Sequence, residues 1–277
     1  MKRTIALGTF DGLHKGHRAV LSLPEDSIKI AVVFPLPPKA VLSGEPCAIM
    51  TEREKAQALK KVGIDEIFTL DFNKVKDMPP EFFLEFLKEK FSPDLISCGF
   101  NYHFGKNAAG NTVMLSDFCN KNGIELNCHG AVYDGGEPVS STRIRQYLKN
   151  GEIEKANGLL TFPFSFTAEV ISGDRRGRTI GFPTVNQKYP MVLIPLKFGV
   201  YKSKILIDGK EYEGITNIGI RPTFKTDYII SETYIIDFSG DLYGKEITTV
   251  PTRFVRGEVE FSSVEELKNQ IERDIKE

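Results

Sequence analysis

Near residue 160 the rhythm of apolar residues changes, and that change divides the chain into two differently built halves. Upstream, short apolar runs at 4–7, 28–34, 66–70, 94–98 and 125–131 alternate with helical segments at 51–62, 80–91, 112–122 and from 139 onward. Such alternation predicts a parallel α/β sheet. The run at 28–34 is almost continuously apolar, as strands covered on both faces are, and it ends in Pro35-Leu36-Pro37-Pro38, which cannot extend a ladder. After a short helix over 150–160, segments at 164–172, 199–207, 211–220, 229–238 and 246–256 read as strands parted by glycine turns such as Asp208-Gly209. That spacing predicts a small antiparallel barrel. A helix opening at Ser263, with Glu266 completing a capping box, ends the pattern. For 277 residues two domains are expected, 1–158 and 159–277.

The first apolar run leads into Gly8-Thr9-Phe10-Asp11-Gly12-Leu13-His14-Lys15-Gly16-His17, and residues 18–21 read as the start of a helix. Glycines at a strand-to-helix turn let the backbone approach a ligand, and the first amides of a helix favour an anion. His14 and His17 stand three apart, so a shared helical turn sets both imidazoles on one face. An ordinary turn with solvated histidines has the same composition; two histidines inside one glycine-rich turn weigh against it.

Three further stretches matter in this half. Thr51 to Glu54 form a capping box for a scaffold helix with Ala56, Leu59 and Val62 on one face and Gly63 at its end. Gly99-Phe100-Asn101-Tyr102-His103-Phe104-Gly105-Lys106 follows a strand's carboxyl end, either as a binding loop or as aromatics folded over the sheet edge. Ser140-Ser141-Thr142-Arg143-Ile144-Arg145 opens a helix with hydroxyls and two arginines, the parts of a phosphate clamp; read alone, Ser141 is also an ordinary N-cap.

Composition narrows the chemistry. With 36 basic and 37 acidic residues the net charge is -1, so neither nucleic acid nor an anionic membrane is an expected partner, and phosphate must be met by local basic loops. No apolar run approaches the ~18 residues of a membrane span, and the first strand starts too early for a signal peptide. A cytoplasmic protein is expected. Cys47, Cys98, Cys119 and Cys128 lack CxxC spacing and read as reduced thiols.

In the second half Gly173, Arg175, Arg176, Gly177 and Arg178 make a cationic glycine loop that leads into Gly181-Phe182-Pro183-Thr184-Val185-Asn186. Proline fixes φ there, and a hydroxyl and a carboxamide two apart can both present oxygen to a hard cation such as Mg²⁺ or to its phosphates.

The stretch from Gly8 to His17 resembles the HxGH signature of adenylyltransferases in its longer form, GTFDGxHxGH. It is similar to the amino-terminal module of bacterial bifunctional riboflavin kinase/FAD synthetases. Residues 140–145 resemble that family's SSTxIR motif, and residues 99–105 its G-[DE]-[DN]-F-x-F-G loop, with Phe100 in the acidic position and Tyr102 in the first aromatic one. Residues 181–186 resemble the kinase motif GFPTxN, 217–224 its second loop, and 231–238 the strand of its general base, with 241–245 following in the family's order. Thr161-Phe162 stands where the family commonly has Gly-Arg.

The resemblance implies a Rossmann-like HxGH nucleotidyltransferase domain followed by a β-barrel kinase domain with a C-terminal helix. It implies that riboflavin and ATP give FMN in the barrel, and that FMN and a second ATP give FAD and pyrophosphate in the first domain, both with Mg²⁺. Glu232 would accept the proton of the riboflavin hydroxyl. Gly173, Arg176, Gly181, Thr184 and Asn186 would hold ATP, the last two also Mg²⁺. His14, His17 and Arg145 would stabilise charge in adenylylation, with Gly8, Thr9, Phe10, Asp11, Gly12, Asn101, Ser141, Thr142 and Arg143 on the nucleotide. Two alternatives stay open: a monofunctional adenylyltransferase whose barrel only binds substrate, against which GFPTxN and Glu232 argue, and a non-catalytic flavin-binding regulator. Oligomeric state has no signal in the sequence.

Overall fold

The computed structural model of the chain describes residues 2–173, 181–221 and 228–277. Arg175, Arg176 and Arg178 of the cationic loop, and Pro222 to Phe224 of the second kinase loop, lie outside the described residues. The chain divides into two compact units, Met1–Ser141 with Leu159–Phe162 and Thr142–Gly158 with Pro163–Glu277.

In the first unit β1 (Lys2–Leu7), β2 (Ser27–Val33), β3 (Glu66–Thr69), β4 (Leu95–Gly99) and β5 (Glu125–His129) form one parallel sheet in the order β3-β2-β1-β4-β5. The central strand is buried on both faces, which explains its lack of polar alternation. Ile5 and Leu7 pack with Phe83, Leu84 and Leu87 of α5 (Pro80–Phe91), while Ala6 joins Val20 of α1 (Lys15–Val20) and Leu59 of α3 (Glu52–Lys61). The α3 capping box forms as expected. Its inward face differs from expectation, with Lys55, Ala58 and Leu59 buried and Ala56 only half-buried. The further helix α6 (Thr112–Asn122) covers the same sheet face as α5, and Cys98 and Cys119 are buried there. Burial, followed by the neighbouring Cys128, pushes the Cys98 thiol up to about 12. All four cysteines are free.

The second unit takes in all but the first residue of α7 (Ser141–Asn150) and all but the last of α8 (Ile153–Leu159), helices that start at or near the expected places. Its barrel consists of β8 (Phe166–Ile171), β9 (Thr184–Lys188), β10 (Gly199–Ile207), β11 (Lys210–Arg221), β12 (Tyr228–Ile235) and β13 (Glu246–Arg256), closed in the order β10-β11-β12-β9-β8-β13 with all neighbours antiparallel. The strand β9 was expected only as the end of a loop. Its most buried inward residue is polar: Gln187 donates to the carbonyls of Ala168 and Ile247, at 2.8 and 2.9 Å, and accepts from the Thr249 hydroxyl at 2.7 Å. A fully satisfied amide replaces the apolar residue by which a buried strand is usually read. The chain ends in α9 (Val264–Lys276), capped by Ser263. The expected box is altered, because Glu266 reaches back to the Ser262 amide and hydroxyl instead of the cap's own amide.

Candidate active sites

The first site grows from the turn after β1. Phe10, Leu13 and Gly12 all have positive φ, at 46°, 40° and 86°, so the backbone winds tightly between β1 and His14. The Phe10 and Leu13 side chains are fully buried and anchor that winding. His14 then caps α1, which starts at Lys15, three residues earlier than the helix start read from the sequence. Its Nδ1 accepts from the His17 amide at 3.2 Å, which leaves Nε2 to carry the proton of the neutral ring. The two imidazoles stack with centroids 3.6 Å apart and planes 16° from parallel, and the Phe10 ring meets His17 edge-on at 5.4 Å. The expected convergence of the two histidines is thus present, by stacking across a cap instead of side by side on one helical turn.

Asp11 points inward. It is fully buried, and its Oδ1 accepts from the amides of Ile49 and Met50 at 2.8 and 3.3 Å. Beside it Lys55, 2% exposed, donates to the carbonyls of Phe34 and Pro35 at 2.7 and 3.2 Å. Burial lowers the Lys55 pKa, opposed by the nearby Asp11 and Glu52 charges. These two buried groups fix the segment after β2 and the segment before α3 around the histidine turn. Sequence reading missed Lys55; a lysine in register with Ala58, Leu59 and Val62 was the available signal.

Other expected residues are placed as follows. Asn101 is exposed on the turn after β4, and Phe100 is also exposed. Tyr102 and Phe104 stack at 5.7 Å, and Phe104 stacks on Phe83 of α5 at 5.6 Å, so these aromatics fold the loop onto the sheet's helical cover. Burial raises the Tyr102 pKa. The Ser141 hydroxyl donates to the Asp11 carbonyl at 3.0 Å, which joins the SSTxIR stretch to the histidine turn through 130 residues of intervening chain. Residues 160–161 join it as well, since Leu160 bridges His14 and the Thr161 amide donates to the Leu13 carbonyl at 3.0 Å. Within α7, Thr142 is exposed, Arg145 is half-buried, and the Arg143 Nε donates to the Tyr147 hydroxyl at 3.1 Å.

The second site lies on the outer face of the barrel. Strand register places Asn217, Glu232 and Asn186 in one row across β11, β12 and β9, because Thr216, Thr233 and Gln187, one residue along, point into the fully buried interior. Gly181, at φ 89°, turns the chain into the Phe182-Pro183-Thr184 entry, and the Phe182 ring packs edge-on against Tyr234 at 5.1 Å. The Asn186 carboxamide lies against Gly173, where a Cβ would come 2.6 Å from Asn186 Cγ. Asn186 Oδ1 is buried and has no hydrogen-bond partner among the described residues. Glu232 and Thr184 line a cavity of about 750 Å³ between the strands and α9, and Thr184 also lines a second cavity of about 260 Å³ beside Phe238 and Tyr243.

The family model described as FAD synthetase matches residues 1–143, and that described as riboflavin kinase matches residues 160–277. A bifunctional riboflavin kinase/FMN adenylyltransferase of Listeria monocytogenes is 35% identical, covering 99% of this chain and 90% of its own. Proteins of the same description from Bacillus subtilis strain 168 and Escherichia coli strain K12 are 33% and 32% identical, over 100% and 98% of this chain and 91% and 90% of theirs. The crystal structure described as a macrolide-efflux protein from Streptococcus pneumoniae superposes with a TM-score of 0.88 at 28% identity, covering 99% of this chain and 93% of that one. Among the described residues no helix is long and apolar enough to cross a membrane. Each half matches its own family model and the relatives align along almost the whole length, so this chain belongs to the bifunctional riboflavin kinase/FMN adenylyltransferases.

Proposed function

We infer that the chain converts riboflavin to FMN and then FMN to FAD, each step using one ATP. The observation that carries this reading is the placement of Glu232 between Asn186 and Asn217 on the wall of the larger cavity, with Thr184 where the two cavities meet. One cavity then takes the flavin and the other the nucleotide, with the transferred phosphoryl group near Thr184. Glu232 accepts the proton of the riboflavin 5′-hydroxyl as that oxygen bonds to the γ-phosphorus and the bond to ADP breaks.

The donor set suits a hard cation. Asn186 Oδ1 is a buried oxygen without a partner among the described residues, and Thr184 offers a hydroxyl two residues away on the same face. Mg²⁺, when bound there, would neutralise charge on the phosphates, and Thr184 and Asn186 would hold it.

In the first unit a phosphate oxygen of FMN attacks the α-phosphorus of ATP and pyrophosphate leaves. The nucleophile is already an anion, so positioning and charge stabilisation suffice. His14 and His17 supply ring N–H donors for the phosphates, and the tie from Ser141 to Asp11 fixes the turn that presents them. Arg143 and Arg145 are assigned to phosphate binding by their motif. We divide the two activities at 158/159, and we place the enzyme in the cytoplasm, where ATP is supplied. Chromatography of flavins over time tests the reading. FMN appearing first and FAD at its expense supports it; bound, unmodified riboflavin would favour a regulator, and FAD made only from supplied FMN a monofunctional adenylyltransferase.

A further inference from the structure

The cavity that contains Glu232 has two unlike walls. One is the outer face of the barrel, with Ile215, Asn217 and Tyr234; the other is the chain after β13, with Phe261, Leu267 and Ile271. An amphipathic helix is ordinarily fixed by burying its apolar stripe. In α9 the one buried residue is Asp274, at 1% exposed, while Leu267 and Ile271 stay partly exposed along the cavity.

What holds this wall is therefore polar. Arg256, the last residue of β13, donates from Nε to both Asp274 carboxylate oxygens, at 3.0 and 3.2 Å, and from Nη2 to Oδ2 at 2.8 Å. Gln270 donates to Asp274 Oδ1 at 2.8 Å, and Arg256 Nη1 donates to the Gly257 carbonyl at 3.1 Å. The same guanidinium lies over the Phe261 ring, 5.7 Å from its centroid. One side chain thus joins the end of a barrel strand, the aromatic ring of the wall and the last turns of the helix. A bidentate pair fixes orientation as well as distance, which a single contact does not.

We propose that Arg256 and Asp274 are positioning residues, a latch that presets α9 as the wall against which the flat apolar ring of riboflavin packs. The pair then sets riboflavin affinity, while phosphoryl transfer stays with Glu232, Thr184 and Asn186. A preset wall lowers the ordering cost of binding, and losing the guanidinium fork leaves the buried Asp274 charge without its partner. This rests on the cavity being the riboflavin site.

The test measures riboflavin Kd by quenching of flavin fluorescence, and KM and kcat for FMN formation, in Asp274→Asn, Arg256→Lys and Leu267→Trp. Circular dichroism and a cooperative thermal melt of each preparation serve as the folding reference. For Asp274→Asn, Kd and KM should rise together by about ten-fold or more with kcat within about three-fold, the pattern of lost uniform binding. Arg256→Lys keeps the charge but loses the fork, so its rise is smaller, and it decides the matter if Asp274→Asn fails to fold. Leu267→Trp, which fills the cavity, should raise KM whatever the ion pair does. An unchanged KM in Leu267→Trp overturns the cavity reading itself. A raised KM there, with Asp274→Asn and Arg256→Lys changing only kcat or thermal stability, overturns the latch alone.

Discussion

The His14 and His17 rings lie 3.6 Å apart and nearly parallel, tied by the His17 amide to His14 Nδ1 at 3.2 Å. Neither ring can be removed without disturbing the seat of the other, so the two should behave as one catalytic unit. His14→Ala and His17→Ala are each expected to slow FAD formation from FMN by about 10²-fold or more, and the double variant little further. FMN formation should persist in all three. Because His14 is also a helix cap, His14→Asn should recover the ~1 kcal/mol of capping lost in His14→Ala without recovering activity, as thermal melts beside FAD assays would reveal.

On the barrel the opposite selectivity is expected. Glu232→Gln keeps the shape of the side chain and loses the base, so FMN formation should fall by about 10² to 10⁴-fold with supplied FMN still adenylylated. Separate assays with riboflavin and with FMN decide this; loss of both activities in a folded Glu232→Gln protein would contradict two independent sites.

Gly173 tests the seat of Asn186. A methyl group there would stand 2.6 Å from Asn186 Cγ, so the carboxamide must swing aside. Gly173→Ala should cost less than about 1 kcal/mol of stability, since a side chain yields more readily than backbone, yet FMN formation should need more Mg²⁺ and run at least about ten-fold slower. Titration of Mg²⁺ at fixed ATP is the measurement.

Lys55 provides a prediction with a sign. Burial lowers its pKa from 10.5, so the unfolded chain holds this proton more tightly than the folded one, and stability rises with pH up to about 10.5. Lys55→Met lacks that contribution. The melting temperature of the parent minus that of the variant should therefore increase from neutral pH towards 10.5; a flat difference would mean that the lysine is not held against its own charge.

Where chemistry and position lie in one contiguous stretch, the sequence was readable. The histidine turn shows its glycines, its histidines and its flanking strand within ten residues, and the strands at 199–207 and 246–256 coincide with β10 and β13. What escaped was polar and inward. The inward carboxylate of Asp11 holds the amides of Ile49 and Met50, a role its motif did not announce; Lys55 was hidden in a scaffold helix; Gln187 disguised β9 as loop. Buried polar groups are satisfied by partners far along the chain, which periodicity does not register. Arg256 and Asp274, eighteen residues apart, have no signal of either period.

Thr184 and Asn186 sit on β9, the strand inserted between β12 and β8. Without β9 the barrel is an open sheet with two free edges. Reactive residues borne on loops can be trimmed away during divergence while a scaffold survives, but deleting this segment would unseal the domain. Descendants that abandon riboflavin phosphorylation should therefore do so by point replacements at Thr184, Asn186 or Glu232, and keep the segment's length unchanged.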